Sequence, residues 1–129
     1  MIADTSFLIA LFLPEDELHE KAIEVLSKNI SSIVIIDRVL EETFTVLCYK
    51  KGLKFCLEVI AKIKNNKDII LAKFDEKEIN AIFNLAIKIN KKISFVDYAV
   101  LYYQMTFGEG ILCFDNELIN ISKALNKDK

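Results

Sequence analysis

Two acidic side chains follow short apolar segments at opposite ends of the chain. Asp4 comes directly after the apolar residues 1–3, and Asp115 closes the apolar run at residues 111–114. In a parallel sheet the carboxyl ends of the strands meet at one edge, so acids distant in sequence become neighbours there. Carboxylates brought together repel one another unless a positive charge lies between them. Because Mg²⁺ and Mn²⁺ prefer oxygen ligands, this pattern favours a metal site at that edge.

Glu42 is a further candidate, on a predicted helix that starts at Asp37. Helical spacing places it on one face with three residues of largely apolar character: Val39, Val46 and Tyr49. The adjacent Glu41 falls on a polar face instead. An acid on an apolar stripe destabilises the fold unless it is paired or bound to a metal, so Glu42 is predicted to be the functional acid of this helix. A salt bridge to a lysine is the alternative.

Asp97 lies three residues after Ser94, in a segment that is apolar on nearly every side. That spacing is also the signature of a capping box, in which the carboxylate accepts a hydrogen bond from the backbone N–H of Ser94. Asp4 and Asp115 can likewise be helix caps. Helix capping and metal binding therefore stay open for each of these acids, and it is their joint pattern that favours a metal.

The rest of the residue inventory disfavours other kinds of catalysis. His19 is the one histidine of the chain, and it is predicted to be a solvated surface residue because its neighbours are charged. Paired histidines are therefore absent, and a Ser-His or Cys-His nucleophile is not expected. The three glycines form no phosphate-cradling loop of the G-x-G-x-x-G or G-x-x-x-x-G-K type. Carboxylates acting with a metal remain.

The chain has the length of one ordinary domain, residues 1–129. Apolar residues make up 53% of it, yet the longest apolar run, residues 7–13, is far shorter than the roughly 20 residues that cross a membrane. No basic segment precedes that run and no small-residue cleavage site follows it, so the cytoplasm is the expected compartment. The apolar excess predicts a helix-covered sheet and a surface that binds a partner.

Overall charge and cysteine usage give no separate binding signal. The net charge of −2 offers no general attraction for nucleic acid, so phosphate binding must come from local groups. Loose lysine clusters, among them Lys91-Lys92, are predicted as solvated helix ends, with a binding patch as the alternative. The cysteines at positions 48, 56 and 113 share no metal-type spacing and are predicted to be buried and reduced.

The elements that must position the acids alternate between strand and helix. Strands are predicted at residues 1–3, 33–36, 69–74 and 111–114. Helices are predicted at about residues 7–13, 14–28, 37–51, 53–65, 75–89, 94–108 and 117–125. This order is typical of a parallel α/β sheet. We expect a three-layer sandwich with a central, mostly parallel sheet of four to five short strands flanked by helices.

The four acidic segments together resemble the motifs of a known family. In chain order they read DTSFLI (residues 4–9), VLEET (39–43), SFVDYA (94–99) and CFDNEL (113–118). The set is similar to the acidic motifs of the PIN-domain nucleases, and within these to the small single-domain proteins of the VapC toxin type. The resemblance covers almost the whole chain. Cys113 stands where the family usually has a small hydroxyl residue, and a predicted helix replaces the final edge strand of many relatives.

The resemblance implies a ligand set and a reaction. It implies three core metal-binding acids and a more variable fourth: Asp4, Glu42, Asp97 and Asp115. Thr5 or Ser6 would orient the first of them. The implied reaction is hydrolysis of RNA phosphodiester bonds with one or two Mg²⁺ or Mn²⁺ ions. The implied partners are the RNA substrate and an antitoxin protein, and the surplus apolar surface favours a second copy of the chain in a homodimer.

Three functions stay open on the sequence. The first is a metal-dependent endoribonuclease that acts as the toxin of a toxin–antitoxin pair. The second is a PIN nuclease that processes RNA without being a toxin. An adjacent gene for a small antitoxin would favour the first of these functions over the second. The third is a catalytically silent PIN-fold binding module whose acids serve as helix caps. Metal affinity separates the third from the others, because capping carboxylates alone do not bind Mn²⁺ as a cluster.

Overall fold

Four short parallel strands form the centre of the computed structural model, which describes residues 1–28 and 32–127. They are β1 (Ile2–Ala3), β2 (Ile33–Ile36), β3 (Ile69–Ala72) and β4 (Ile111–Leu112). The strand order across the sheet is β3-β2-β1-β4, and every neighbouring pair is parallel. The carboxyl ends of β1 and β4 therefore lie side by side, immediately before the segments that carry Asp4 and Asp115.

In the described residues, seven helices flank this sheet. They are α1 (Thr5–Phe12), α2 (His19–Leu26), α3 (Asp37–Lys51), α4 (Leu53–Asn65), α5 (Glu76–Ile89), α6 (Phe95–Phe107) and α7 (Asn116–Lys127). The predicted α/β architecture of a central parallel sheet flanked by helices is confirmed. Across residues 1–28 and 32–127, none of these helices combines the length and the apolar composition that a membrane span requires.

Burial follows the position of each strand in the sheet. The wholly apolar, β-branched segment Ile33–Ile36 forms a central strand, and Ile35 and Ile36 are fully buried. This is expected where helices cover both faces of a parallel sheet. At the sheet edge, Ile70 and Leu71 of β3 remain 50% and 41% exposed. Part of the apolar excess of the sequence is thus on the surface.

Several helix ends lie where the sequence places them. Gly52 separates α3 from α4 with φ 87°, and Gly108 ends α6 with φ 67°, conformations that residues with a Cβ rarely adopt. Asp75 and Ser94 cap α5 and α6 in capping boxes. These local signals fix the two ends of α6, the helix that carries Asp97.

The prediction of a helix from residue 14 to residue 28 was wrong at both ends, because α2 spans His19–Leu26. The carboxylate of Asp16 accepts a hydrogen bond from the N–H of Leu18 at 2.9 Å, and the N–H of Asp16 donates to the carbonyl of Leu13 at 3.0 Å. These contacts stabilise a turn over the segment that was expected to be helical. Strands β3 and β4 also end two residues earlier than predicted.

His19 was predicted to be a solvated surface residue, which the structure contradicts. Its Nδ1 lies 2.8 Å from the carbonyl oxygen of Ala10, near the C-terminal end of α1, and its side chain is half-buried. Such carbonyls lack a helical N–H partner, so a ring N–H is well placed to satisfy one. His19 therefore ties α2 to α1, a contact between elements that neighbouring charges in the sequence could not reveal.

Replacing Ser122 with alanine should destabilise the fold. Its hydroxyl donates to Oε1 of Gln104 at 2.6 Å, and both side chains are buried between α7 and α6. Loss of the donor leaves a buried acceptor unsatisfied, so we expect the free energy of unfolding to fall by about 1–3 kcal/mol in denaturant titrations. The exposed Ser27 is the control, and Ser27→Ala should change it by less than about 0.5 kcal/mol. Equal effects of the two changes would contradict the assignment.

Candidate active site

Three of the four candidate acids lie at one edge of the sheet. Asp4 directly follows β1, Asp115 lies just beyond β4, and Asp97 is in the first turn of α6, which packs against β1. Burial raises the pKa of Asp97, and the negative charges of Asp4 and Asp115 raise it further. The convergence predicted from the strand ends holds for Asp4 and Asp115, because Ala3 of β1 pairs with Leu112 of β4. Asp97 is near enough for the charges of both to act on it.

Asp4 is held by a network that joins the ends of β1 and β4. Its Oδ2 accepts hydrogen bonds from the Ser6 N–H at 3.4 Å, from the Ser6 hydroxyl at 3.0 Å and from the Cys113 thiol at 3.4 Å. The same Ser6 Oγ accepts the N–H of Phe114 at 3.0 Å. Asp4 itself is 4% exposed. Of the two residues expected to orient this acid, it is Ser6 that contacts it.

Thr5, the other candidate for that role, makes no such contact. Its side-chain oxygen is buried and has no hydrogen-bond partner among the described residues. The hydroxyl of Thr43 on α3 is in the same situation. Neither hydroxyl is therefore assigned a role in holding the acids.

Each of the three acids is also a helix cap, as the alternative prediction held. Oδ2 of Asp97 accepts the Ser94 N–H at 3.2 Å, while the Asp97 N–H donates to the Ser94 hydroxyl at 3.1 Å. Oδ1 of Asp115 accepts the N–H groups of Glu117 and Leu118 at 3.0 and 3.3 Å. Asp4 caps α1 through the Ser6 N–H. The capping interpretation is therefore confirmed at the level of contacts.

Capping occupies only one oxygen of each carboxylate. In the part of the chain that the structure describes, no hydrogen bond reaches Oδ1 of Asp4, Oδ1 of Asp97 or Oδ2 of Asp115. None of the ion pairs found in residues 1–28 and 32–127 involves these acids. The second oxygen of each carboxylate is thus available to a ligand, and the two roles are compatible.

The helices that begin at these acids offset part of their repulsion. Helices α1, α6 and α7 start at Asp4, Ser94 and Asp115, so the positive ends of three helix dipoles point toward the carboxylates. Backbone N–H groups nevertheless neutralise only fractions of a charge. A cluster stabilised in this incomplete way fits a divalent cation with a preference for oxygen ligands.

The surroundings of Glu42 differ from those of the other three candidate acids. Its side chain on α3 is half-buried, whereas that of Glu41 is exposed, as predicted. Tyr49 was placed on the same apolar stripe, and this was wrong because Tyr49 is 88% exposed. The charges that act on Asp97 are those of Asp4 and Asp115, and Glu42 is not among them.

The acids do not form a group of three that could hold a metal ion. Among residues 1–28 and 32–127, no three His, Cys, Asp or Glu side chains lie together in that way. Mg²⁺ commonly uses one or two carboxylates together with water and substrate phosphate, so two carboxylates of this edge would suffice for a hydrated ion.

Cys113 is part of the same network. Its sulfur accepts the Asp115 N–H at 3.2 Å and donates to Asp4, and burial followed by the Asp4 charge raises its pKa to about 12. The expectation that all three cysteines are buried was wrong for Cys113 and Cys48, which are half-buried, and correct for Cys56. Ser6 follows Asp4 by two residues, a spacing that could have indicated the hydrogen bond between them. The contact of Asp4 with Cys113 could not be predicted in this way, because it depends on the pairing of β1 with β4.

Alkylation should report the charge around Cys113. With a pKa of about 12, roughly one thiol in ten thousand is ionised at pH 8, so iodoacetamide should react slowly although the side chain is accessible. Asp4→Asn should speed the reaction, because it removes a charge that raises this pKa. We would measure rates by mass spectrometry in a Cys48→Ser background. Fast alkylation near pH 7, or no response to Asp4→Asn, would show that the thiol is not placed as described.

Comparison with known proteins places the fold. No family model matches the sequence, and no curated protein matches it. The solved structure of VapC20 from Mycobacterium tuberculosis, a sarcin-ricin loop cleaving toxin, superposes with a TM-score of 0.83 over 92% of both chains, at 20% identity. The chain has the PIN-like fold of the VapC toxins. The solved structure of VapBC2 from Rickettsia felis, bound to a DNA fragment from its promoter, matches with a TM-score of 0.66. This match covers 93% of this chain and 91% of the VapBC2 chain, at 13% identity.

Proposed function

We propose that this protein is a metal-dependent endoribonuclease and the toxin of a type II toxin–antitoxin pair. The observation that carries the proposal is the position of three carboxylates near one sheet edge, each with one oxygen that the described residues leave unbonded. The VapC-like fold supports RNA as the substrate, since VapC20 is a toxin that cleaves the sarcin-ricin loop.

Four acids of the chain would hold the metal. Asp4 and Asp97 would be the central ligands, and Glu42 and Asp115 would complete the set from α3 and from the start of α7. A bound Mg²⁺ or Mn²⁺ ion supplies a Lewis acid for the phosphate oxygens and lowers the pKa of a water molecule. The protein supplies orientation: Ser6 fixes Asp4, and Ser94 fixes Asp97.

The side chains around the acids favour hydrolysis without a covalent intermediate. The Cys113 thiol is protonated at neutral pH because its pKa is about 12, so it is not a nucleophile. The single histidine is engaged with the carbonyl of Ala10 on α1. Water is then the attacking group, and a carboxylate of the cluster can accept its proton.

The surface supports protein partners as well as RNA. Large apolar side chains are exposed on α3, α4, β3 and α5: Tyr49, Leu53, Leu57, Ile70, Leu71, Phe83 and Ile87. Exposed apolar surface beyond single scattered side chains commonly marks protein contacts. We assign it to an antitoxin and to a second copy of the chain in a homodimer, and we place the activity in the cytoplasm. Size-exclusion chromatography with light scattering tests the dimer.

Metal-dependent cleavage of RNA tests the proposal. The purified protein is incubated with a pool of structured RNAs in EDTA, Mg²⁺ or Mn²⁺, and fragments are resolved on a sequencing gel. We expect fragments with either metal and none in EDTA. Fragments that form equally in EDTA would overturn the metal-dependent mechanism.

A catalytically silent binding module is the second candidate, and the capping contacts of all three acids favour it. Capping alone does not gather ions, so isothermal titration with Mn²⁺ separates the two. Saturable Mn²⁺ binding that disappears in Asp4→Asn supports the nuclease. A nuclease that processes RNA without being a toxin differs from the first proposal in its partner, and co-purification of a small antitoxin with the protein tests that difference.

A further inference from the structure

We propose that the turn between α5 and α6 binds a phosphate group of the RNA strand beside the acids. This turn, residues 90–94, is called the basic turn here because it exposes Lys91 and Lys92. The inference rests on the nuclease function proposed above and adds the substrate-binding residues to it. The ligand is a backbone phosphate, so the contact carries no sequence preference.

The basic turn leads directly into the capping box of Asp97. Lys92 is two residues before Ser94, and two residues span at most about 7 Å of extended chain. Ser94 in turn exchanges hydrogen bonds with Asp97 through both its backbone and its hydroxyl. The ammonium groups are therefore carried by the segment that positions a central acid of the candidate site.

The structure holds this turn in one shape. The hydroxyl of Tyr98, a side chain 5% exposed on α6, accepts the N–H of Lys91 at 3.0 Å and donates to the carbonyl of Lys91. The N–H of Ile93 bonds to that carbonyl at 3.0 Å, and Asn90 adopts a left-handed conformation with φ 54°. A fixed backbone lowers the entropy that must be lost when a phosphate binds.

The charges of the turn are available to a ligand. Lys91 and Lys92 are exposed, and neither is found in an ion pair within the described ranges. The chain carries a net charge of −2, and three acids repel RNA at the candidate site. Local cations must therefore provide the attraction, and this turn provides two of them, six and five residues before Asp97 in the chain. Both lysines are exposed just after the end of α5, as the prediction of solvated helix ends expects, and the proposal takes up the alternative of a binding patch.

RNA binding without turnover tests the inference. Fluorescence anisotropy of a labelled single-stranded RNA in EDTA gives Kd at several salt concentrations for the full chain. Each phosphate contact adds about 0.7 to the slope of log Kd against log salt for single strands. Lys91→Gln with Lys92→Gln should weaken binding and lower that slope by about 0.7, the value for one phosphate. The ratio of variant to wild-type Kd should then fall about 2.6-fold between about 50 and about 200 mM salt.

Two further variants separate position from net charge. Lys62→Gln with Lys64→Gln removes the same charge from exposed positions on α4 and should leave Kd nearly unchanged. Tyr98→Phe keeps the ring and both lysines but loses the two hydrogen bonds to Lys91. It should raise Kd by less than the double lysine variant does, which assigns Tyr98 as a positioning residue.

The outcomes distinguish the inference from the function on which it rests. If the wild-type protein neither binds nor cleaves RNA, the proposed function fails and the inference with it. If the wild-type protein binds RNA and the Lys91 and Lys92 variant shows the same Kd and slope, the inference alone is overturned. Equal loss of binding in the α4 variant also overturns it, because the effect would then follow net charge.

Discussion

Asp97→Asn is expected to reduce RNA cleavage by at least about a hundredfold while leaving the protein folded. Metal-assisted stabilisation of a developing charge contributes several kcal/mol, and each 1.36 kcal/mol is a factor of about ten in rate. Asparagine retains an oxygen that can accept the Ser94 N–H, so the cap of α6 survives. Single-turnover cleavage rates in Mn²⁺, with circular dichroism as the check on folding, measure the effect.

The pKa of Asp97 predicts the effect of the same change on stability. Burial and two neighbouring acids raise this pKa in the folded protein. A carboxyl group whose pKa is higher in the folded than in the unfolded protein stabilises the fold at pH values below its pKa in the unfolded protein. That contribution is lost as the pH rises through the pKa of the folded protein. The ionised form is thus unfavourable at neutral pH, and asparagine avoids it. Without metal at pH 7, Asp97→Asn should be at least as stable as the wild-type protein in urea titrations.

Ser94→Ala is the matched control, because it removes the cap and keeps the carboxylate. It should cost about 1 kcal/mol of unfolding free energy, within the usual range of 0.5–2 for a lost N-cap. Its effect on cleavage should be much smaller than that of Asp97→Asn. If the two variants lost activity equally, Asp97 would act through the helix start rather than through its charge.

Mn²⁺ should raise the melting temperature of the wild-type protein by roughly 10 °C at saturation. A ligand present at a hundred times its Kd stabilises the folded state by about 2.7 kcal/mol. For a chain of this length, each kcal/mol corresponds to about 4 °C. Differential scanning fluorimetry across a Mn²⁺ titration gives the shift. The ion relieves the mutual repulsion of the acids, which is why the effect is large.

The double variant Asp4→Asn with Asp97→Asn should lose this thermal shift. Glu20→Gln with Glu58→Gln is the control, since both glutamates are exposed and the change in net charge is the same. The control should keep the full shift. A shift that persists in the first variant, or that vanishes in the second, would place the ion elsewhere.

The fold was readable from the sequence because its signals are local. Gly52 and Gly108 mark helix ends through their backbone freedom, and Asp75 and Ser94 mark helix starts through capping contacts within three residues. The apolar segment at residues 33–36 is too short for a helix and too continuous for a half-exposed strand. Each of these arguments needs only a few neighbouring residues.

One local turn and two differences in tertiary packing account for the predictions that failed. The start of α2 is set by a turn that Asp16 stabilises through contacts within three residues. The role of His19 depends on its contact with α1, and Tyr49 at the end of α3 is 88% exposed. The last two outcomes follow from which elements lie next to one another, and periodicity alone does not contain that information.

The candidate site was predicted in part. The strand-end argument brought Asp4 and Asp115 together, and the helix motif added Asp97, in agreement with the repulsion that raises its pKa. The sequence presented capping and metal binding as alternatives. In the structure the capping contact uses one oxygen of each carboxylate and leaves the second oxygen without a hydrogen bond among the described residues. The residue types alone do not specify this geometry. A shared ligand set of Asp4, Glu42, Asp97 and Asp115 stays a prediction.

The proposal under test is that Asp4 and Asp97 bind a metal that is needed for RNA cleavage. Its most direct test is the cleavage of a structured RNA pool by the wild-type protein and by the Asp4→Asn, Asp97→Asn double variant, side by side in Mn²⁺ and in EDTA. We expect fragments from the wild-type protein in Mn²⁺ and from neither protein otherwise, with the variant still folded by circular dichroism. Fragments from the folded variant in Mn²⁺, or from the wild-type protein in EDTA, would contradict it.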